Sequence, residues 1–390
     1  MKNDSKFKWA FLSEMICIIS FLLTSCTRAS DKGSVTLVPI KEYTFNTDWQ
    51  IATIFTTLLK NKNGEIIFCT YNAKTYKRID LFTIDGKVIE SISLKNVIDK
   101  GDNVDNVVPF SPDSFLILSL HTNHLYLLNG AGSILKEMNI NHSPVDSLNA
   151  EFNASTLSNF KLDDSTLLFR CWYYFKNDTL PQSRYSSQDY SRLSNSLPYF
   201  FKVQSFFDPQ LKVSFELPGL YNRIFNNKTL VNVEASNYIA TPKGILLSSF
   251  YTDSIYLINP QSFIIEKAIK IHSKYTSVGC KALTPTELEQ GLDISDRLRP
   301  SGNIIAMFYD NYRSLFYIVV KHKADDDKSV SKYRSLLIYD TDFVFKSEIK
   351  METDVNDLQN MFILKEGLLI HKGKYVQPSK FELFHVDIEK

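Results

Sequence analysis

Residues 64–94 read GEIIFCTYNAKTYKRIDLFTIDGKVIESISL. An apolar run at Ile66-Ile67-Phe68 is followed by a strand pattern over Arg78–Thr83 and another over Val88–Ser93. Asp85-Gly86 stands between the last two, both of which alternate. Such a dipeptide is a strong hairpin signal, because the central positions of a tight two-residue turn take φ > 0. The stretch therefore predicts three consecutive antiparallel strands.

The same unit recurs along the chain. The first apolar residues of the strands that follow a polar turn are Ile66, Phe115, Leu167, Ile245, Phe316 and Leu368, at spacings of 49, 52, 78, 71 and 52 residues. A short strand precedes each turn, as in Val107–Phe110, Tyr238–Ala240, Ile304–Tyr309 and Met361–Leu364. A strand pair follows, as in Leu125–Leu128 with Ile134–Met138, Phe201–Phe206 with Val213–Leu217, Ile255–Ile258 with Ile264–Ile269, and Leu336–Tyr339 with Val344–Ile349. Four strands per unit, six times, with a period near 50, predict an all-β, six-bladed β-propeller. Two stacked sandwiches would have no reason to repeat one four-strand order. The sixth unit is one strand short, and the alternating stretch Val35–Phe45 can supply it, pairing the two ends of the propeller and removing open edges.

Composition fits this reading and narrows function. Lys and Arg number 44 against 43 Asp and Glu, so there is no basic footprint for nucleic acid. The 28 Phe and 20 Tyr suit many half-buried strands rather than a disordered chain.

The N-terminus has the form of a targeting segment. Lys2, Lys6 and Lys8 precede an apolar run, Met15–Leu23, too short to span a bilayer. Leu23-Thr24-Ser25-Cys26 resembles the bacterial lipobox, which implies cleavage before Cys26 and lipid on that cysteine. The expected organisation is a lipoprotein signal over 1–25, a tether over 26–34 and the propeller over 35–390. Cys69, Cys171 and Cys280 are then left in the propeller, an odd number that excludes a full disulfide framework.

The lipobox, the length and the six-unit pattern together resemble the six-bladed, TolB-like propeller lipoproteins of Bacteroidota. The resemblance implies an outer-membrane lipoprotein and brings no catalytic residues with it. Surface-exported members of that group carry acidic residues after the cysteine. Thr27-Arg28-Ala29-Ser30 stand there here, which favours a periplasm-facing protein, with the cell surface as the alternative.

The long connections, 96–105, 141–156, 176–197, 219–228, 272–302 and 321–332, all fall on one face of such a propeller. Loops on a rigid scaffold are where function concentrates. Arg184, Tyr185, Tyr190 and Arg192 lie in one, and Arg297 and Arg299 in another. Tyr and Arg are enriched at binding hot spots, so these six are the candidate ligand-binding residues. Thr284-Pro285-Thr286-Glu287 is a capping box that predicts a short helix ending at Gly291. No Walker loop, Gly-x-Ser-x-Gly, His-Glu-x-x-His or Cys-x-x-Cys occurs. His121 and His124 lack an evident third metal ligand, and Asp99–Asp105 and Asp325–Asp327 do not match a calcium loop. The reading is a lipid-anchored binding or scaffold protein for a glycan, peptide or envelope protein, with no cofactor, metal or nucleic acid. The alternative is a propeller enzyme, of hydrolase or sugar dehydrogenase type, working in the central funnel.

Overall fold

The computed structural model describes residues 35–45, 55–72, 78–101, 104, 106–119, 124–139, 150–163, 165–175, 200–205, 212–217, 236–280, 286–287, 290, 292, 300–324, 331–353, 356–372 and 379–388. Strand β1 (Val35–Phe45) opens them. Sheet I is β2 (Phe55–Lys60), β3 (Ile66–Asn72), β4 (Arg78–Thr83) and β5 (Val88–Ser93); a one-turn helix, α1 (Lys95–Ile98), follows it. Sheet II is β6 (Asn106–Ser111), β7 (Ser114–Ser119), β8 (His124–Asn129) and β9 (Ile134–Asn139). Sheet III is β10 (Ala150–Asp163), β11 (Thr166–Phe175), β12 (Phe200–Gln204) and β13 (Lys212–Glu216). Sheet IV is β14 (Ser236–Thr241), β15 (Gly244–Ser249), β16 (Ser254–Ile258) and β17 (Ile265–Lys270). Sheet V is β18 (Asn303–Asp310), β19 (Leu315–Lys321), β20 (Tyr333–Asp340) and β21 (Phe345–Glu352). Sheet VI is β22 (Asn356–Ile363), β23 (Leu368–Lys372) and β24 (Ser379–Ile388), with β1 as its fourth strand. Paired strands run antiparallel throughout, and the architecture is an all-β propeller with four-stranded blades.

The apolar pattern of each strand follows from its place in the stack. Second strands are covered by a neighbouring sheet on both faces and read as continuous apolar runs, such as FLIL in β7 and LFYIVV in β19. Sheets I and II meet through Ile67, Tyr71 and Leu81 against Phe115, Ile117 and Tyr126. Leu168 and Phe200 of sheet III pack on Tyr238 and Leu247 of sheet IV. Leu246 and Ile255 of sheet IV meet Phe316 and Leu337 of sheet V. Tyr317 and Leu336 of sheet V meet Val35, Leu358 and Leu368 of sheet VI. Sheet VI in turn packs on sheet I, where Phe68 and Phe82 lie among Leu369, Phe381 and Leu383 and the Phe68 and Phe362 rings meet edge-on at 5.2 Å.

The turn between third and fourth strands is one repeated device. Asn129 Oδ1 accepts from the N–H groups of Ala131 and Ser133, and Asp340 Oδ1 from those of Asp342 and Val344. Asn259 Oδ1 does the same for Gln261 and Ser262, and the Thr83 hydroxyl takes the N–H of Lys87. The residue closing each turn has positive φ: Gly86 (84°), Gly132 (75°), Phe263 (53°) and Phe343 (63°). This corrects the turn expected at Asp85-Gly86. Only Gly86 has positive φ there, so the loop is the longer type in which a left-handed residue closes a turn and a bulge follows. A bulge recurs next to this turn in sheets I, II, IV and V.

Two strand limits also differ from expectation. β10 begins at Ala150, inside the segment read as a connection, and β22 begins at Asn356 rather than Met361. Both early portions are irregular, with register shifts between Ala154 and Asn159 and between Asp357 and Met361, which is why their alternation is hidden. Cys69 is a free, buried thiol whose pKa burial pushes up, as a small core hydrophobe should be.

Candidate functional site

The two ends of the sheets are unlike. At one end, among the described residues, the first-to-second and third-to-fourth connections are short turns, and ion pairs fasten neighbouring sheets: Lys62 to Asp113 at 2.9 Å and Lys243 to Asp342 at 2.8 Å. Arg313 donates to the carbonyls of Leu364 (3.2 Å) and Lys365 (2.7 Å), joining sheets V and VI. The longer connections leave from the opposite end.

At that loop end, segment 271–280 crosses from sheet IV to sheet V and is anchored by a buried carboxylate. Glu348 accepts the Ser273 hydroxyl at 2.5 Å and the Lys274 N–H at 2.6 Å. The Thr276 hydroxyl takes the N–H of Lys323 at 3.0 Å. These bonds hold Tyr275, 52% exposed, stacked on the buried His322 with ring centroids 6.0 Å apart and planes 21° apart. His322 Nε2 lies 2.8 Å from the buried Ser335 hydroxyl. Lys350 Nζ sits 3.8 Å from the Tyr333 ring centroid and 5.6 Å from that of Tyr275. Burial lowers the His322 pKa, Lys350 pushes it the same way and Glu348 opposes them. The result is a rigid aromatic face with a cation beside it.

A second polar group lies between sheets V and VI. Lys321 and Arg334 are direct cross-strand partners, and Arg334 pairs with Asp357 of β22. Burial lowers the Lys321 pKa; Cys280 opposes that shift and Arg334 adds to it. His371, almost fully buried, is lowered by burial against the opposing charge of Asp357. The Nε of Arg334 is buried without a hydrogen-bond partner.

The residues expected to bind, Arg184, Tyr185, Tyr190, Arg192, Arg297 and Arg299, lie outside the described residues, as do Cys26, His121 and Asp325–Asp327. Of the expected helix, Thr286 and Glu287 are helical and the Gln290 N–H donates to Thr286 O at 3.1 Å. His124 Nδ1 lies 3.1 Å from the Tyr126 hydroxyl. Among the described residues, no three His, Cys, Asp or Glu side chains come together to hold a metal. Sequence reading missed Tyr275, His322, Tyr333 and Lys350. They come from four separate stretches, and only the fold brings them together.

Comparison with known proteins bears on the fold. No family model and no curated protein matches the chain. A crystal structure of a member of the DUF4221 family from Bacteroides vulgatus is similar at a TM-score of 0.64 with 16% identity, covering 92% of this chain and 99% of that one. At this identity the likeness shows the fold alone. A protein of Bacteroides fragilis is similar at 0.45, with 12% identity over 89% of this chain and 99% of that one. Regucalcin, a calcium-binding protein of Agrobacterium tumefaciens, reaches 0.43 with 10% identity over 90% and 95%. Among the described residues, no helix is long and apolar enough to cross a membrane.

Proposed function

We propose that the chain is a lipid-anchored protein of the bacterial cell envelope that binds a glycan at the loop end of a six-bladed propeller. The observation that carries this reading is the Tyr275 ring, braced from behind by His322 and open to solvent, with Lys350 beside it. A fixed aromatic face suits the C–H face of a sugar ring, and a nearby ammonium suits a carboxylate or hydroxyl on it. Among the described residues, polar groups of the turn end are engaged within the turns or between neighbouring sheets. Arg184, Tyr185, Tyr190, Arg192, Arg297 and Arg299 belong to connections that leave from the same end as Tyr275 and would extend its surface. The six-bladed ring is supported by six four-stranded sheets, by the β1–β24 ladder and by the packing of sheet VI on sheet I. Lipidation at Cys26, and with it an outer-membrane, periplasm-facing position, is supported by the lipobox-like Leu23-Thr24-Ser25-Cys26.

The test is a glycan array probed with residues 27–390 and three variants. Tyr275→Ala should weaken binding about tenfold or more, as loss of an aromatic anchor does. Lys350→Ala should weaken binding to acidic glycans more than to neutral ones. Lys87→Ala at the turn end should leave binding unchanged. Binding lost in the Lys87 variant and kept in the Tyr275 variant would sink the reading.

A further inference from the structure

We propose that the turn end of sheet VI, at the outer edge of β1, is the surface that rests on the lipid bilayer. The inference rests on lipidation of Cys26. It begins with strand direction. β24 starts at the loop end, after the connection from β23, so Ile388 lies at the turn end. Val35 pairs with Ile388, so β1 also enters the sheet there.

The reach of the tether then decides the orientation. Cys26 precedes Val35 by nine residues, which fully extended cover about 30 Å. β1, 11 residues long with one left over at the bulge, rises about 31 Å from the turn end to the loop end. A tether doubling back along β1 must be fully extended to bring Cys26 level with the loop end. The turn end and the lower flank of sheet VI are the surfaces it reaches without that stretching.

That flank has the character to meet lipid. Val35 and Leu37 turn inward onto sheet V, while Val38 and Ile40 are 48% and 55% exposed on the outermost strand. Ile40 is the residue left over where the β1 register shifts between Pro39 and Lys41. Ile388, at the strand end beside the tether, is 42% exposed. Lys41 follows directly, exposed, its ammonium 4.5 Å from the Tyr43 ring centroid. With this flank on the bilayer, Tyr275 and the loop end face away from it.

Site-specific photocrosslinking tests this on the full chain, expressed with its leader in a bacterial host. A benzophenone amino acid is placed in turn at Ile40, Tyr275 and Lys323, and lipid adducts are read by mass spectrometry. The peptide beginning at Cys26 is weighed in the same samples. The expected result is a lipid-bearing Cys26 peptide, with adducts at Ile40 at least tenfold above those at Tyr275 and Lys323. Adducts at Tyr275 or Lys323 equal to those at Ile40, or none at Ile40 while Cys26 carries lipid, overturn the orientation and leave the anchor standing. An unmodified Cys26 overturns the anchor itself, and the orientation with it.

Discussion

His322 and His371 are bases kept where a positive charge is costly. Burial lowers both pKa values; Lys350 adds to the shift at His322, while Glu348 there and Asp357 at His371 oppose it. In the unfolded chain a histidine titrates near 6.5. As pH falls below that value, the unfolded state takes up protons that the folded state resists, so stability falls until the lowered folded values are reached. The Tm should therefore be flat above about pH 7 and decline from pH 6.5 downward. His322→Gln keeps a polar partner for Ser335 and should make that decline shallower. Superimposable pH profiles for the two proteins would show that His322 carries no such linkage. Residue-scale legibility was uneven. Gly86 could be read as a turn residue because its missing Cβ frees φ. Phe263 and Phe343 occupy the same turn position and could not, since a bulky residue disfavours positive φ. Packing overrides that preference: Phe263 is buried near Phe200, and Phe343 stacks on Phe316 at 4.8 Å.

At the scale of elements, the turn joining β18 to β19 shows how neighbouring sheets are locked. Asp310, fully buried, accepts the N–H groups of Tyr312 (2.8 Å) and Arg313 (3.0 Å), the Arg313 guanidinium (2.9 Å) and the Tyr317 hydroxyl (3.0 Å). Arg313 is thereby aimed at the carbonyls of sheet VI. Asp310→Ala strips four donors of their acceptor and should cost about 3–5 kcal/mol, the range for breaking a buried ion pair. Asp310→Asn keeps an acceptor oxygen and should cost roughly half as much. Urea unfolding measures both, and equal losses would mean that the charge, not the hydrogen bonds, carries the contact. Elements were the most legible level, because second strands buried on both faces leave unbroken apolar runs. The start of β10 was hidden by its irregular register, and the Tyr275 platform by its dependence on four separate segments.

For the whole molecule, the ladder between β1 and β24 makes a direct comparison possible. Removing residues 27–33 leaves β1 intact. Removing residues 27–46 takes away the buried Val35, the partly buried Leu37 and the entire ladder. The longer deletion should cost at least about 4 kcal/mol from lost apolar burial and pairing, lowering the Tm by roughly 5 °C or more. Equal Tm values for the two truncations would show that β1 is dispensable to the fold.

The same ladder sets a schedule for the chain. Val35 and Ile388 are partners, yet β1 precedes and β24 follows every other described strand. Sheet VI cannot form until β24 has been made, whatever the other sheets have done by then. Until that moment β1 lacks the strand it pairs with. Contacts this distant in sequence also form slowly. Late formation of sheet VI would favour the export that the proposed lipidation of Cys26 requires, because a chain without that sheet stays open to threading across a membrane.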